Sequence, residues 1–480
     1  HDTHTAHWRQ WFSSPVSSNF FAHHEIDWSN PQDSKSDFME FPNHLCIPIN
    51  IRENIWNALT VPKYDGPVVR EKLAEATTRP VTIEDLKAAI AKASSTSVPG
   101  PSGLSYLMMK TWTPKVLKEA FDAMTMIWET GQIPLWWKQK WLCPKAKVDP
   151  SLATLEDLRP ISLLETTRKI WMGIIVGRIV SVWETDNVLA DGQYGFRKNK
   201  GCEAPTLQVL NALEEAEEAG TEIHGSSWDI KRAFDSVSKP ILQMSWQRLG
   251  VPRHIAKYIV DLDKDCLTIP LTPHAMRIMS NNGLSFFDRR PSSHNSASGF
   301  YPETGTPQGD TPSPANWNAA LDVLLRALHD IDPTPFLLRT DSVLHPLADT
   351  AYADDLFSIS ARREGLQLKA DTVSAFTIIF GIKIAIHKLR TFAKCWGEEP
   401  SHFANTDYEL ITHGPDWTPQ NTLVRYVDDD AHFDSVFKYL GVHIDVNNRF
   451  RRQYDVTKAL IRQTCLAASS RQASAETIST

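Results

Sequence analysis

Ala351-Tyr352-Ala353-Asp354-Asp355-Leu356-Phe357-Ser358-Ile359 is the stretch on which the reading of this chain turns. Its flanks are apolar and strand-forming, and its middle carries two adjacent aspartates. Neighbouring acids are poor strand residues and repel one another when ionised. They fit the tip of a hairpin, so residues 350–361 are expected to form two strands joined by a tight acidic turn. Aspartates also favour turns for purely local reasons, because the side chain caps nearby backbone groups. For an isolated Asp-Asp pair that local explanation is the better one.

A second acidic segment shifts the balance. Ser227-Trp228-Asp229-Ile230-Lys231-Arg232-Ala233-Phe234-Asp235 places Asp229 at the end of a predicted strand, residues 226–230, that opens onto a helix. If the two strands are neighbours, Asp229, Asp354 and Asp355 can meet at one point. Three close carboxylates are costly unless divalent ions sit among them, and hard oxygen donors suit Mg²⁺. Two ions about 4 Å apart are the arrangement that moves a phosphoryl group between oxygens.

The bulk properties bound this reading. With 480 residues the chain is longer than one core usually covers, so two or more domains are expected. Apolar residues at 42% and charged residues at 22%, with 16 Trp and 20 Phe, exclude a chain disordered throughout. The net charge of -7 argues weakly against a nucleic-acid partner, which usually selects a basic face. A groove needs positive charge only locally, and bound metals offset acids. Cys46, Cys143, Cys202, Cys266, Cys395 and Cys465 lack CxxC spacing and read as scattered thiols of a reducing compartment. No apolar run is long enough to span a bilayer. The chain begins at His1 and reads as a piece of something longer.

Along the chain, residues 1–78 are expected to be an irregular extension. His1, His4 and His7 recur at helical spacing, but without carboxylate or Cys support they read as a solvated tail. Thr82-Ile83-Glu84-Asp85 is a capping-box start, and Thr113-Pro114 opens a second helix that runs to about Gly131. Trp141–Pro144 reads as a short strand. Helices are predicted for about 20 residues from Thr166, for Ala204–Ala219 and for 314–329, and residues 372–389 are expected to be a helix leading into a strand. Residues 270–304 look like a long loop or insertion, and 398–432 like a loop with an acidic run at Asp428-Asp429-Asp430. Phe437–Val446 reads as strand. Lys438, Arg449, Arg451, Arg452, Lys458 and Arg462 make the end basic. Strands and helices interleave with hairpin-like pieces, which predicts α+β with an antiparallel sheet.

Three ordered segments resemble motifs of reverse transcriptases: Asp229 with Phe234-Asp235, then Gly305-Thr306-Pro307-Gln308-Gly309-Asp310, then Tyr352-Ala353-Asp354-Asp355. Their wording is similar to the non-LTR (LINE-like) retrotransposon branch. Around them, in order, Pro99–Gly103 resembles an N-terminal fingers motif. Arg159–Leu164 and Gln193–Arg197 resemble a second fingers block, and Lys438–Gly441 resembles the hairpin after the active site. A lone YADD is weak; this many motifs in order are strong.

The resemblance implies a right-hand polymerase: fingers at 79–205, a palm with antiparallel sheet at 206–446 carrying an insertion near 270–304, and a partial thumb at 447–480. It implies an RNA-directed DNA polymerase that uses an RNA template, a DNA primer, dNTPs and two Mg²⁺ ions, with Mn²⁺ as an alternative. No membrane association follows, and protein partners stay unassigned. An intracellular place follows, with the nucleus favoured. Asp229, Asp354 and Asp355 would ligate the metals, helped by the Ile230 carbonyl. Phe234 would be the steric gate against a 2′-hydroxyl. Lys145 and Arg159 would hold the triphosphate, Gln308 and Gly309 the nucleotide and template, and Tyr352 the primer end. Lys388 would protonate pyrophosphate, although Ala385 stands where this branch commonly has Asn, and His387 competes for that role. No endonuclease motif precedes residue 80 and no RNase H set follows 450. The rival readings are an RNA-dependent RNA polymerase, an intron-maturase-like protein, and an inactive transposon remnant that binds RNA.

Overall fold

The computed structural model describes residues 2–13, 19–147, 149, 154, 157–271, 299–340, 343–396, 407–425, 427, 436–447, 453 and 456–458. The core of the expected insertion, the Asp428–Asp430 run, nearly all of the expected thumb and Cys465 lie outside them. Among the described residues, Cys143, Cys202, Cys266 and Cys395 are free thiols. Among the described residues no helix is long and apolar enough to cross a membrane. The fold is α+β with antiparallel sheets, divided into two units that interleave along the chain.

The first unit comprises residues 1–191, 231–327 and 375–383. Its organising element is the Thr166–Thr185 helix, whose length matches the expected 20 residues. That helix is apolar nearly all round, as a central helix must be. It buries Ile170, Trp171, Met172, Ile175, Ile179 and Trp183, and Trp183 packs at a tilt against Trp246 with ring centroids 4.9 Å apart. The predicted capping box forms: Thr82 Oγ1 accepts from Asp85 N and Asp85 Oδ2 accepts from Thr82 N, each at 3.1 Å. Such a cap contributes about 1 kcal/mol. Pro114–Thr130 is the second predicted helix, and it stops at Gly131 in the left-handed region (φ 66°). Three strands, ordered Leu158–Leu164, Gln139–Ala146, Leu267–Pro270, form this unit's sheet.

The expected irregular N-terminal extension is largely helical, with helices at Asp2–Trp11, Ile49–Thr60 and Gly66–Thr78. Its polar, His- and Ser-rich composition hid sparse but large apolar anchors. Trp8, Phe20, Phe38 and Trp56 are fully buried, and aromatic burial at wide spacing leaves a weak periodic signal. His1 lies outside the described residues, and the helix carrying His4 and His7 is packed, not a solvated tail.

The second unit comprises residues 192–230, 328–374 and 384–480. Its sheet runs Arg390–Cys395, Glu222–Lys231, Asp355–Ser360, Thr350–Tyr352, with each of these neighbouring pairs antiparallel. The Glu203–Glu218 helix contributes Val209, Leu210, Leu213 and Ala216 to a core shared with Ile223, Phe357, Ile359 and Phe392. Phe357 and Ile359 alternate with Ser358 and Ser360, and all four are buried, so the strand is covered on both faces. Two expectations need correction. The described part of 398–432 holds a hairpin, Tyr408–His413 with Pro419–Val424, whose polar outer residues mask the alternation. The strand expected over Phe437–Val446 is two short strands, Val436–Tyr439 and Val442–Asp445, turned at Leu440 and Gly441, both with positive φ.

Candidate active site

The expected acidic hairpin forms in the second unit. Thr350–Tyr352 pairs with Asp355–Ser360, Tyr352 opposes Asp355, and Ala353-Asp354 is the turn. Ala353 has φ 59°, a left-handed conformation costing a non-glycine residue about 1 kcal/mol or more. Strain of this kind persists where surrounding structure over-determines it. Here Gly192–Tyr194 runs alongside: Ala351 N donates to Gly192 O and Tyr194 N to Ala351 O, both at 2.8 Å. A Cβ on Gly195 would lie 2.2 Å from Ala353 N, so only glycine lets this segment press against the turn. Behind it, Tyr439 is buried with its hydroxyl 3.0 Å from Thr350 Oγ1 and its ring 5.0 Å from that of Phe357.

Asp229 faces Asp355 directly across the Glu222–Lys231 and Asp355–Ser360 strands. With Asp354 on the adjoining turn, three carboxylates share one end of the sheet. Burial, then Asp354 and Asp229, push the Asp355 carboxyl up to about 6, with Lys388 pulling the other way. Like charges directly opposed across strands are destabilising, so the crowding calls for a cation. In this structure Lys388 supplies one, its Nζ 2.9 Å from Asp229 Oδ2. Lys388 stands on a short turn, Ile386–Lys388, fastened where Ala385 N donates to Asp229 O at 2.9 Å. Among the described residues no three His, Cys, Asp or Glu side chains are drawn together closely enough to hold a metal ion. The donor set nevertheless fits hard divalent ions: oxygen-only, anionic and short of compensating charge. Ile230, the next residue along the strand, is buried.

The remaining candidates belong to the first unit. Lys145 and Arg159 oppose one another on an antiparallel pair, both exposed. Two cations opposed across a strand pair, with no ion pair to either among the described residues, concentrate positive charge there. Phe234 is part-buried, its ring 5.9 Å from that of Trp317 and its carbonyl accepting from Thr306 N at 2.7 Å. Gln308 O accepts from Ser162 N at 2.7 Å, and Gly309 has φ 113°. A Cβ there would meet Ser162 O at 2.8 Å, so the loop needs glycine for both reasons.

Several site features have little signal of their own in the sequence. Asp235, an acid within the Asp229 motif, is buried and bonded to Trp11 and Gln308. Arg168, fully buried, joins Asp263 and Asp310. Gly195, within the Gln193–Arg197 segment, has its purpose only in the close approach to Ala353. The available signal was Asp235 and Asp310 standing as acids inside otherwise apolar or Gly-rich motifs.

A strand–turn–strand that gathers three carboxylates on an antiparallel sheet marks the palm of a nucleotide polymerase. The family described as reverse transcriptase (RNA-dependent DNA polymerase) matches residues 143–444, and the chain belongs to that family, in its non-LTR (LINE-like) branch. It is similar to the RNA-directed DNA polymerase from mobile element jockey of Drosophila melanogaster, 24% identical over 78% of this chain and 36% of that protein. It is also similar to the Pol polyprotein from the retrotransposable element R2DM of the same species, 26% identical over 65% of this chain and 26% of the relative. A third relative, the Pol polyprotein from a type-1 element R2 of Nasonia vitripennis, is 24% identical over 76% of this chain and 31% of its own length. The chain therefore spans between 26% and 36% of these relatives.

Proposed function

We propose that this chain is an RNA-directed DNA polymerase that extends a DNA primer with dNTPs on an RNA template. The observation that carries the reading is the register that sets Asp229 against Asp355, with Asp354 on the turn, in a member of this family. Fingers at 79–205, palm at 206–446 and the start of a thumb from 447 complete the proposed right-hand arrangement.

The reaction is attack of a primer 3′-hydroxyl on the α-phosphorus of a dNTP, forming the new phosphodiester and releasing pyrophosphate. Asp229, Asp354 and Asp355 would hold two divalent ions, Mg²⁺ or alternatively Mn²⁺, with the Ile230 carbonyl assisting. When bound, such ions lower the pKa of the attacking hydroxyl and neutralise the departing oxygens. Lys145 and Arg159 take the triphosphate charge. Gln308 offers a hydrogen bond to the nucleotide or template, and Gly309 allows close backbone approach. Tyr352 packs beside the primer end. Lys388, bonded to Asp229 in this structure, gives its proton to pyrophosphate once released from that carboxylate.

Extension of oligo(dT) on poly(rA) with Mg²⁺ tests the reading. Product is expected; a folded chain that makes none would overturn it in favour of an inactive RNA-binding remnant. Phe234→Ala, by opening space beside the sugar, is expected to raise ribonucleotide use relative to deoxynucleotide by about tenfold or more. Unchanged sugar selectivity would leave Phe234 as a packing residue. Gly195→Ala is expected to cut extension on the order of 10²-fold, because a backbone clash at Ala353 displaces the acidic turn by a fraction of an ångström to an ångström. Wild-type extension rates with an unaltered circular dichroism spectrum would show that the turn tolerates the shift.

A further inference from the structure

Resting on the polymerase reading, we propose that Asp235 is a positioning residue that fixes the amide of Gln308, and that the N-terminal helix holds Asp235 in place through Trp11. The chain of contacts is short and lies within one unit. Trp11 Nε1 donates to Asp235 Oδ2 at 3.1 Å. Gln308 Nε2 lies 3.3 and 3.4 Å from the two oxygens of the same carboxylate. The Gln308 carbonyl is tied separately to Ser162 N at 2.7 Å.

The chemistry of the partners gives the contact its direction. A carboxylate only accepts, so it draws the Gln308 NH₂ toward itself and leaves the amide oxygen turned away. A residue offering both a donor and an acceptor could not make that choice. Asp235 is 2% exposed and six residues beyond Asp229, in the motif that also carries Phe234. Burial pushes its carboxyl up to about 6, against the pull of Trp11, Gln308, Arg232 and Lys140, and the hydrogen bonds to its two oxygens come from N–H donors, Trp11 Nε1 and Gln308 Nε2.

The N-terminal helix is clamped to the same spot. The Arg232 guanidinium lies 3.2 Å over the Trp11 ring, with Arg232 itself in the left-handed region at φ 55°. Phe12 O accepts from Glu303 N and Thr304 N at 3.2 Å each, and Phe12 stacks on Phe300 at 5.9 Å. Thr304 Oγ1 bridges the carbonyls of Phe12 (3.1 Å) and Asp235 (2.9 Å). A segment that sequence composition marks as a tail is thus built into the wall behind Gln308.

Trp11→Phe and Asp235→Asn provide the test. The first keeps an aromatic ring at position 11 while removing the indole N–H together with the five-membered ring that carries it; the second keeps shape and lets the amide orient either way. Each is expected to raise the KM for dNTP about tenfold, the worth of one hydrogen bond to a charged group, with kcat within about threefold. In combination with Gln308→Ala neither is expected to add a further loss, because both act through the same amide. Additive losses, or a fall in kcat with KM unchanged, would overturn the proposal. Hydrogen–deuterium exchange over residues 304–310 supplies an arm independent of turnover: faster exchange is expected in both variants, and unchanged exchange overturns the contact chain. A wild-type chain that fails to extend primers while its variants exchange faster would instead overturn the polymerase reading and leave the buttress standing.

Discussion

Asp355→Asn is expected to abolish primer extension, by on the order of 10³-fold or more, while leaving the fold intact or slightly more stable. The rate loss follows from removing one of the three carboxylates proposed to hold the divalent ions; a 10³-fold effect corresponds to about 4 kcal/mol of transition-state stabilisation. The stability expectation comes from the apo geometry. Asp355 is part-buried, opposes Asp229 across the strand pair and adjoins Asp354. An amide of the same shape relieves that repulsion and loses no ion pair, since Lys388 bonds to Asp229 and not to Asp355. Function and stability are thus expected to move in opposite directions, the signature of a site held at a cost to the fold. Asp229→Asn should be equally inactive, but without the stability gain, because it strips Lys388 of its partner. Measured side by side, extension rate and thermal midpoint check both. Retained activity in Asp355→Asn would remove it from the site, and a large drop in its midpoint would make it a structural residue.

Arg168→Met is expected to cost about 3–5 kcal/mol, the usual penalty for stripping a buried ion network of one partner. Arg168 is fully buried. Its Nη2 bonds Asp263 Oδ1 at 2.7 Å and also Asp310 Oδ2, and its Nη1 donates to the carbonyls of Trp137 and Leu262, both at 3.0 Å. Burial alone would raise the Asp263 carboxyl, but Arg168, followed by Lys140 and Lys239, holds it below the ordinary carboxylate value. A lowered carboxylate contributes stability that is present above its unfolded pKa and is lost as pH falls through its folded one. The contribution of this ion pair should therefore persist to a pH below the ordinary carboxylate range and fade as pH falls further. Arg168→Met should lose that acid dependence along with the ion pair. Adding Asp263→Asn to Arg168→Met should recover part of the loss, since it removes one stranded charge. Thermal midpoints across pH read all three outcomes; a single variant as stable as wild type would show that the network is dispensable. Because Asp310 follows Gln308-Gly309 and its own N–H donates to Pro307 O at 3.1 Å, the same change should also loosen the loop that carries Gln308.

Much of the site was legible because its motifs are local. Asp354 and Asp355 declare a turn by sitting between apolar strands, and Pro307–Gly309 declares a loop by its glycine. Thr82 and Pro114 mark helix starts through bonds made within one turn of chain. The errors fell where the signal was thin or cancelled. The Asp2–Trp11 helix buries two indoles beneath a polar composition, and the Arg363–Phe380 helix starts nine residues before the expected 372.

Short-range chemistry, then, was enough to name the class of fold, the acidic turn and the donor types that suit divalent ions, since each rests on a residue's own preference and that of neighbours a few positions away. What it could not settle was pairing. Asp229 meets Asp355 only because two strands more than a hundred residues apart adopt one register, in which a slip of a single residue would turn the carboxylate to the other face. Lys388 bonding to Asp229, Arg168 between Asp263 and Asp310, and Trp11 behind Asp235 are likewise contacts across long separations. Their energies depend on burial and direction, which exist only once the chain has folded around them.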